Sequence, residues 1–177
     1  MDHDEAPDPL KAAIRDVPDF PKPGIVFKDI TTLLRDRQLF RQAIDRLAGL
    51  VRDLRVDKVV AIESRGFILG GALAYQLGVG FVPVRKPGKL PWRARKASYS
   101  LEYGTDSLEM HEDALAAGDQ VLVVDDVIAT GGTAQAVGEL CAGLGGRLQA
   151  YLFLVELGFL NGRQRLAGHD VRSLLRY

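Results

Sequence analysis

The chain reads as an α/β protein with a mostly parallel central sheet and helices on both faces. Three observations predict this. Strand-length apolar runs alternate with helix-length segments along the chain. The central runs, "VDKVVAIES", "VLVVDD" and "LQAYLFLVEL", are apolar throughout rather than alternating, as expected for strands covered on both faces. The residues with the most distinctive chemistry fall at the carboxyl ends of those runs, where open α/β sheets bind ligands.

Each element has a local reason. Residues 1–8 are polar and acidic and are expected to be mobile. "VPDFPKPGIVF" carries three prolines and a glycine in eleven residues, which predicts an ordered or extended loop and excludes a helix. A helix fits Asp36 to Leu54, with Phe40, Ile44, Leu47, Leu50 and Val51 at helical spacing. The run "VDKVVAIES" is a buried strand, and "RGFILGGALAYQLG" a helix closed by Gly78. Pro83 demotes "GFVPVRK" to a short or edge strand. Residues 87–118 are polar, basic at the start and irregular, with room for a hairpin around Gly104. Gln120 to Asp126 is the strongest strand and Gly132 to Leu144 a helix ended by Gly145 and Gly146. "LQAYLFLVEL", a short helix near Asn161 to Ala167, and a final strand "VRSLLRY" complete the order.

Composition bounds the function. The 177 residues fit one domain spanning 1–177, and 47% apolar and 26% charged residues are ordinary globular values. Lys plus Arg and Asp plus Glu both total 23, so net charge gives no reason to expect nucleic-acid or membrane binding. No 18-residue apolar run and no secretory leader pattern is present, which with the lone Cys141 leads to the expectation of a cytoplasmic protein. Cys141 lies in an apolar helical stretch and reads as a core residue. His3, His111 and His169 sit in polar contexts at unrelated spacings and read as surface residues.

"VLVVDDVIATGGT" (Val121 to Thr133) carries the chemistry. Its strand delivers Asp125 and Asp126 to the sheet's carboxyl end. The turn Ala129, Thr130, Gly131, Gly132, Thr133 then opens a helix. Glycines admit backbone geometry and close approach that side chains block. Main-chain N–H groups at a helix start attract anions, and the threonines add hydroxyl donors. The carboxylates cannot hold an anion but can accept hydrogen bonds from sugar hydroxyls. A phosphate cradle beside two carboxylates suits a phosphorylated sugar. Neither G-x-x-x-x-G-K-[ST] nor G-x-G-x-x-G occurs.

Other motifs admit two readings from the residues alone. Arg65 of "ESRGF" can fork two pyrophosphate oxygens or form an ordinary ion pair. "VRKPGKLPWRARK" holds six basic residues, either a solvated loop or partners for an anionic substrate. Glu102 is either an exposed hairpin carboxylate or an acid–base group on a closing loop. Ile25, Val26 and Phe27 suit core packing as well as base binding.

The stretch Val121 to Thr133 resembles the phosphoribosyl-pyrophosphate signature of the type I phosphoribosyltransferases. "VPDFPKPGIVFKDIT", "ESRGFILG", "VRKPGKLP" and "ASYSLEYG" resemble the adenine-using branch of that family, and the likeness runs from about Ile14 to Leu175. The resemblance implies the type I phosphoribosyltransferase fold with a flexible hood at residues 86–110. It implies transfer of phosphoribose from phosphoribosyl pyrophosphate to adenine, giving AMP and pyrophosphate. It also implies Mg2+ as cofactor, held by substrate oxygens and water rather than by a protein cage, and a homodimer.

By resemblance, Ser64 and Arg65 form the pyrophosphate loop, often with a cis peptide before the serine. Arg85 and Lys89 hold pyrophosphate, and a basic residue of this segment, Arg85 favoured, reaches a neighbouring subunit's site. Residues 129–133 take the 5′-phosphate and Tyr103 a phosphate or ribose oxygen. Glu102, Asp125 and Asp126 are the catalytic set. Main-chain groups of Val26, Phe27 and Lys28 read adenine, with Val127 over its other face. Lys28 stands where arginine is common, Glu63 where some relatives have aspartate, and Pro87 where some have a basic residue. Rival readings are a phosphoribosyltransferase for another base and a non-catalytic regulator that keeps the pocket.

Overall fold

The computed structural model describes residues 8–101 and 104–177. The chain divides into two compact units, residues 1–46 and 47–177.

In the first unit, Asp8 caps helix α1 (Pro9–Ala13) by accepting from the Leu10 N–H at 3.0 Å, and it pairs with Arg46 at 2.8 Å. Strands β1 (Arg15–Pro18) and β2 (Val26–Asp29) form an antiparallel ribbon where the prolines had suggested only a loop. Charge complementarity across the ribbon explains the difference. Arg15 lies opposite Asp29 and Asp16 opposite Lys28, with ion pairs at 2.5 and 2.6 Å. The prolines fall at the strand end and in the turn, where no ladder N–H is required. Short α2 (Thr31–Leu34) follows. Helix α3 (Arg37–Leu50) spans the boundary between the units and stops four residues before the expected end.

The second unit is built on a five-stranded sheet containing β3 (Lys58–Ile62), β4 (Gly80–Val84), β7 (Gln120–Ile128), β8 (Arg147–Glu156) and β9 (Val171–Arg176). Every adjacent pair is parallel and the order is β4-β3-β7-β8-β9. β4, with its proline, is an edge strand as expected. Helix α4 (Arg65–Leu77) ends at Gly78, whose φ of 68° is the left-handed conformation that closes a helix. Helix α5 (Gly132–Gly143) follows β7.

Side-chain parity along β3 puts α4 and α5 on opposite faces. Val59 and Ala61 meet α4 at Gly70, where an added Cβ would stand 2.5 Å from that of Ala61. Val60 and Ile62 point the other way. They join a cluster with Val82, Val84, Val123, Phe153 and, from α5, Val137, Leu140 and Cys141. Cys141 is a core residue, and burial pushes its thiol up to about 12. Tyr151 stacks on Phe153 and lies against Gly138, where any side chain would collide with its hydroxyl.

Strands β5 (Ala94–Leu101) and β6 (Gly104–His111) form the hairpin around Gly104, with Tyr99 opposite Asp106. The stretch expected as a short helix is a 3-10 turn, Gly162–Leu166, preceded by a second one, Gly158–Leu160, with Asn161 between them at φ 53°. His111 is half-buried with its ring edge-on to Trp92, and its Nε2 is buried without a hydrogen-bond partner. His169 is exposed, edge-on to Tyr151. Among the described residues no helix is long and apolar enough to cross a membrane.

Candidate active site

In sheet order the chain moves outward from β3 to β4, then returns past β3 to β7 and continues outward the other way. The β3/β7 boundary is therefore the topological switch point, where the loops after two neighbouring strands leave in opposite directions and open a crevice. A cavity of about 500 Å³ lies there. Its walls include Ile62 to Arg65 from the end of β3 onward, and Asp125 to Gly131, Thr133 and Ala134 from the end of β7 and the start of α5.

Two helix N-termini open into this one cavity. α4 starts at Arg65 and α5 at Gly132, and neither has a side-chain cap. In α5 the first intrahelical bond runs from the Gln135 N–H to the Gly131 carbonyl at 3.0 Å. The amides of Gly132, Thr133 and Ala134 precede it and have no intrahelical acceptor. Such open helix starts favour anions through both their free donors and the helix dipole. Gly131 makes the turn with φ 82°, a conformation costly for any side chain. The Glu63–Ser64 peptide is cis.

The carboxylates sit at the same rim in unequal surroundings. Asp126 is 5% exposed and pairs with Arg65 Nε at 2.7 Å. Asp125 accepts the Asp126 N–H at 2.8 Å and packs against Gly66, where a Cβ would stand 2.7 Å from its Oδ1. Burial first, then the charge of Asp126, holds the Asp125 carboxyl well above the usual range. Burial also raises Asp126, against the pull of Arg65. Arg65 thus forms an ion pair inside the cavity while its side chain remains partly exposed.

The structure brings together Ser64, Arg65, Asp125, Asp126, Val127, Ala129, Thr130, Gly131 and Thr133 around the cavity, with Gly132 in the same turn. It does not bring Arg85 and Lys89 there. Arg85 pairs with Glu63 at 2.9 Å and donates to the Lys89 carbonyl at 3.3 Å. Glu102 and Tyr103 lie outside the described residues. Val26, Phe27 and Lys28 lie on β2 of the first unit, with Val26 half exposed and Lys28 paired to Asp16.

Among the lining residues that escaped the sequence reading are Lys86, Tyr99 and Asp106. Lys86 pairs with Asp106 at 3.4 Å. Tyr99 donates to Asp106 at 3.3 Å. Hairpin register makes Tyr99 and Asp106 neighbours, a relation that needs the turn position and not only the composition. Lys86 had a signal, since it stands within the basic run.

Comparison with known proteins agrees with this geometry. The family model described as the phosphoribosyl transferase domain matches residues 30–154. That defines the class: a phosphoribosyltransferase with its signature turn at the switch point. An adenine phosphoribosyltransferase of Thermotoga neapolitana is 60% identical over 95% of this chain and 99% of its own length. One of Solibacter usitatus is 59% identical over 95% and 97%. The crystal structure of adenine phosphoribosyltransferase from Thermoanaerobacter pseudethanolicus superposes with a TM-score of 0.94 at 52% identity, covering 95% of this chain and 98% of that one. The Saccharomyces cerevisiae enzyme, solved with an imino-altritol bisphosphate and adenine, gives 0.87 at 45% identity, covering 93% and 95%. This chain belongs to the adenine phosphoribosyltransferase family.

Proposed function

We propose that the chain transfers the 5-phosphoribosyl group of phosphoribosyl pyrophosphate to adenine, giving AMP and pyrophosphate in purine salvage. The observation that carries this reading is the pair of uncapped helix N-termini opening on one cavity whose rim holds two carboxylates. A ligand with anions at two ends and hydroxyls between them matches that layout.

In this reading the turn 129–133 takes the 5′-phosphate, and Ser64 and Arg65 take the pyrophosphate. As the C1′–oxygen bond breaks, its electron pair leaves with pyrophosphate and positive charge grows on the ribose ring. Asp125 and Asp126, on the 2′ and 3′ hydroxyls, stabilise that charge. The arriving pyrophosphate competes for Arg65, which frees the Asp126 charge for the sugar. Bond formation from adenine N9 to C1′ displaces a proton, and Glu102 is assigned to exchange it with the purine ring, with Tyr103 beside it on the hood. Val26, Phe27 and Lys28 are assigned to the base through their main-chain groups, with Val127 on its other face. A 6-oxo purine reverses the donor and acceptor at that edge and is disfavoured by unpaired polar groups.

Among the described residues no group of three or more His, Cys, Asp or Glu is placed to hold a metal ion. Two acids at the sugar end, one already paired with Arg65, fit Mg2+ carried on substrate oxygens and water, with Asp125 and Asp126 as its outer partners. When bound, the ion offsets charge on the leaving pyrophosphate.

A homodimer is part of the proposal. Ile68 and Tyr75 lie 45% and 91% exposed two helical turns apart on one face of α4. Arg85 and Lys89 are assigned to the pyrophosphate, with Arg85, outside the cavity of its own chain, favoured as the residue that reaches a neighbour's site. A cytoplasmic location accords with the free thiol of Cys141.

Steady-state turnover of adenine, hypoxanthine, guanine, xanthine and orotate with phosphoribosyl pyrophosphate and Mg2+ tests the reading. Adenine is expected to dominate. Preference for a 6-oxo base overturns the assignment of the base, and pocket binding without turnover of any base overturns the enzyme.

A further inference from the structure

The 3-10 turn Gly162–Leu166 lies outside the signature, and the reaction as described above assigns it no role. Its first residue nevertheless touches the phosphate cradle main chain to main chain. A Cβ on Gly162 would approach the Ala129 carbonyl oxygen closer than 3.0 Å, the Ala129 carbonyl carbon to 3.1 Å and Ile128 Cγ1 to 2.9 Å. The contact is reciprocal. A Cβ on Gly131 would approach the Gly162 carbonyl oxygen closer than 3.0 Å, with Arg165 Cβ at 3.3 Å. Gly162 is buried, and the Leu157 N–H, donating to the Ile128 carbonyl at 3.0 Å, ties the same two segments together one step earlier.

The need for glycine at 162 is one of space and not of conformation. Gly131 has φ 82°, but Gly162 is not among the positive-φ glycines. Alanine at 162 therefore adopts the same backbone freely, and its whole effect passes through the contact with residues 128 and 129.

We propose that Gly162 is a positioning residue for the 5′-phosphate cradle: its bare main chain sets where the Ala129–Gly131 turn stands, and so where the α5 amides point. Any side chain at 162 moves the turn away from the position that binds phosphate. This rests on the phosphate reading of the cradle. Displacing oriented donors by a fraction of an ångström costs binding and rate out of proportion to the stability lost.

The test is Gly162→Ala against Gly168→Ala. Gly168 has φ 88° and open space around it, so alanine there strains the backbone without touching the cradle. Ribose 5-phosphate binding by calorimetry and the KM values for both substrates are read beside thermal unfolding. Gly162→Ala is expected to weaken ribose 5-phosphate binding and raise KM for phosphoribosyl pyrophosphate by about tenfold or more, with KM for adenine within about twofold. Gly168→Ala is expected to lower the unfolding temperature and leave both KM values unchanged. Gly162→Ala that binds ribose 5-phosphate as the native chain does overturns the inference. A native chain that fails to bind it overturns the phosphate reading itself. If Gly162→Ala does not fold, ribose 5-phosphate is titrated into the 15N-labelled native protein. The Gly162 amide must then shift with the same midpoint as the amides of Gly132 and Thr133, and an unmoved Gly162 resonance overturns the inference.

Discussion

Asp125→Asn should make the substrate-free protein more stable while it removes activity. The substitution is nearly isosteric, and asparagine Oδ1 can still accept the Asp126 N–H now bonded at 2.8 Å. What disappears is a negative charge that is buried and faces the charge of Asp126, penalties that outweigh the pull of Arg65, whose ion pair is with Asp126 at 2.7 Å. Relief of such a charge is worth about 1–2 kcal/mol, typical for stabilising changes at functional sites. For a chain of this size that raises the unfolding temperature by about 2–8 °C. The pH dependence follows from the direction of the shift. A raised carboxyl binds its proton more tightly folded than unfolded, so its contribution is most favourable below the unfolded value of about 4 and declines as pH rises through the folded value. The stability gap between Asp125→Asn and the native chain should therefore be near zero at pH 4 and widen towards pH 8. Urea unfolding at several pH values measures it, and coupled AMP formation should fall by about 10²-fold or more. A variant less stable than the native chain at pH 8, or a gap that ignores pH, refutes the reasoning.

Two further substitutions test neighbouring parts of the argument. Asp126→Asn should fold normally and lose most turnover, and near-normal AMP formation by a correctly folded variant would remove Asp126 from the proposed reaction. Arg163→Ala strips the two-toothed partner, with both bonds at 2.7 Å, from Glu156, which is 4% exposed and bonded also to Ser173. Breaking a buried pair costs about 3–5 kcal/mol, but Arg163 is partly solvated and Arg176 remains at 3.8 Å, so a loss of about 2 kcal/mol is expected by urea unfolding. Arg163 holds the Glu156 carboxyl below its usual range, so this stabilisation is present above the unfolded value of about 4.5 and is lost as pH falls through the folded one. The difference between native and variant should accordingly shrink on acidification.

Much of the molecule was legible in the chain because its signals are local. Continuous apolar runs marked β3, β7 and β8, Gly78 marked the end of α4, and Pro83 marked an edge. The signature turn showed its purpose because main-chain donors at a helix start need only small residues and a preceding strand. Where the reading missed, the cause was a relation between distant positions. The β1–β2 ribbon depends on Arg15 meeting Asp29 and Asp16 meeting Lys28 across a proline turn. β7 runs on to Ile128 because Val127 and Ile128 find Val155 and Glu156 on β8. Tyr99 meets Asp106 only once hairpin register is set, and Gly162 meets Ala129 only once β8 has carried the chain back beside the cradle.

Periodicity and turn chemistry in the linear chain were thus enough to establish the α/β class, the phosphate turn and the paired acids, because each is encoded within a dozen residues. The order of strands, the meeting of two helix starts at one switch point and the division of charge between Asp125 and Asp126 belong to the folded state. They arise from packing, burial and register, which act between segments far apart in the chain.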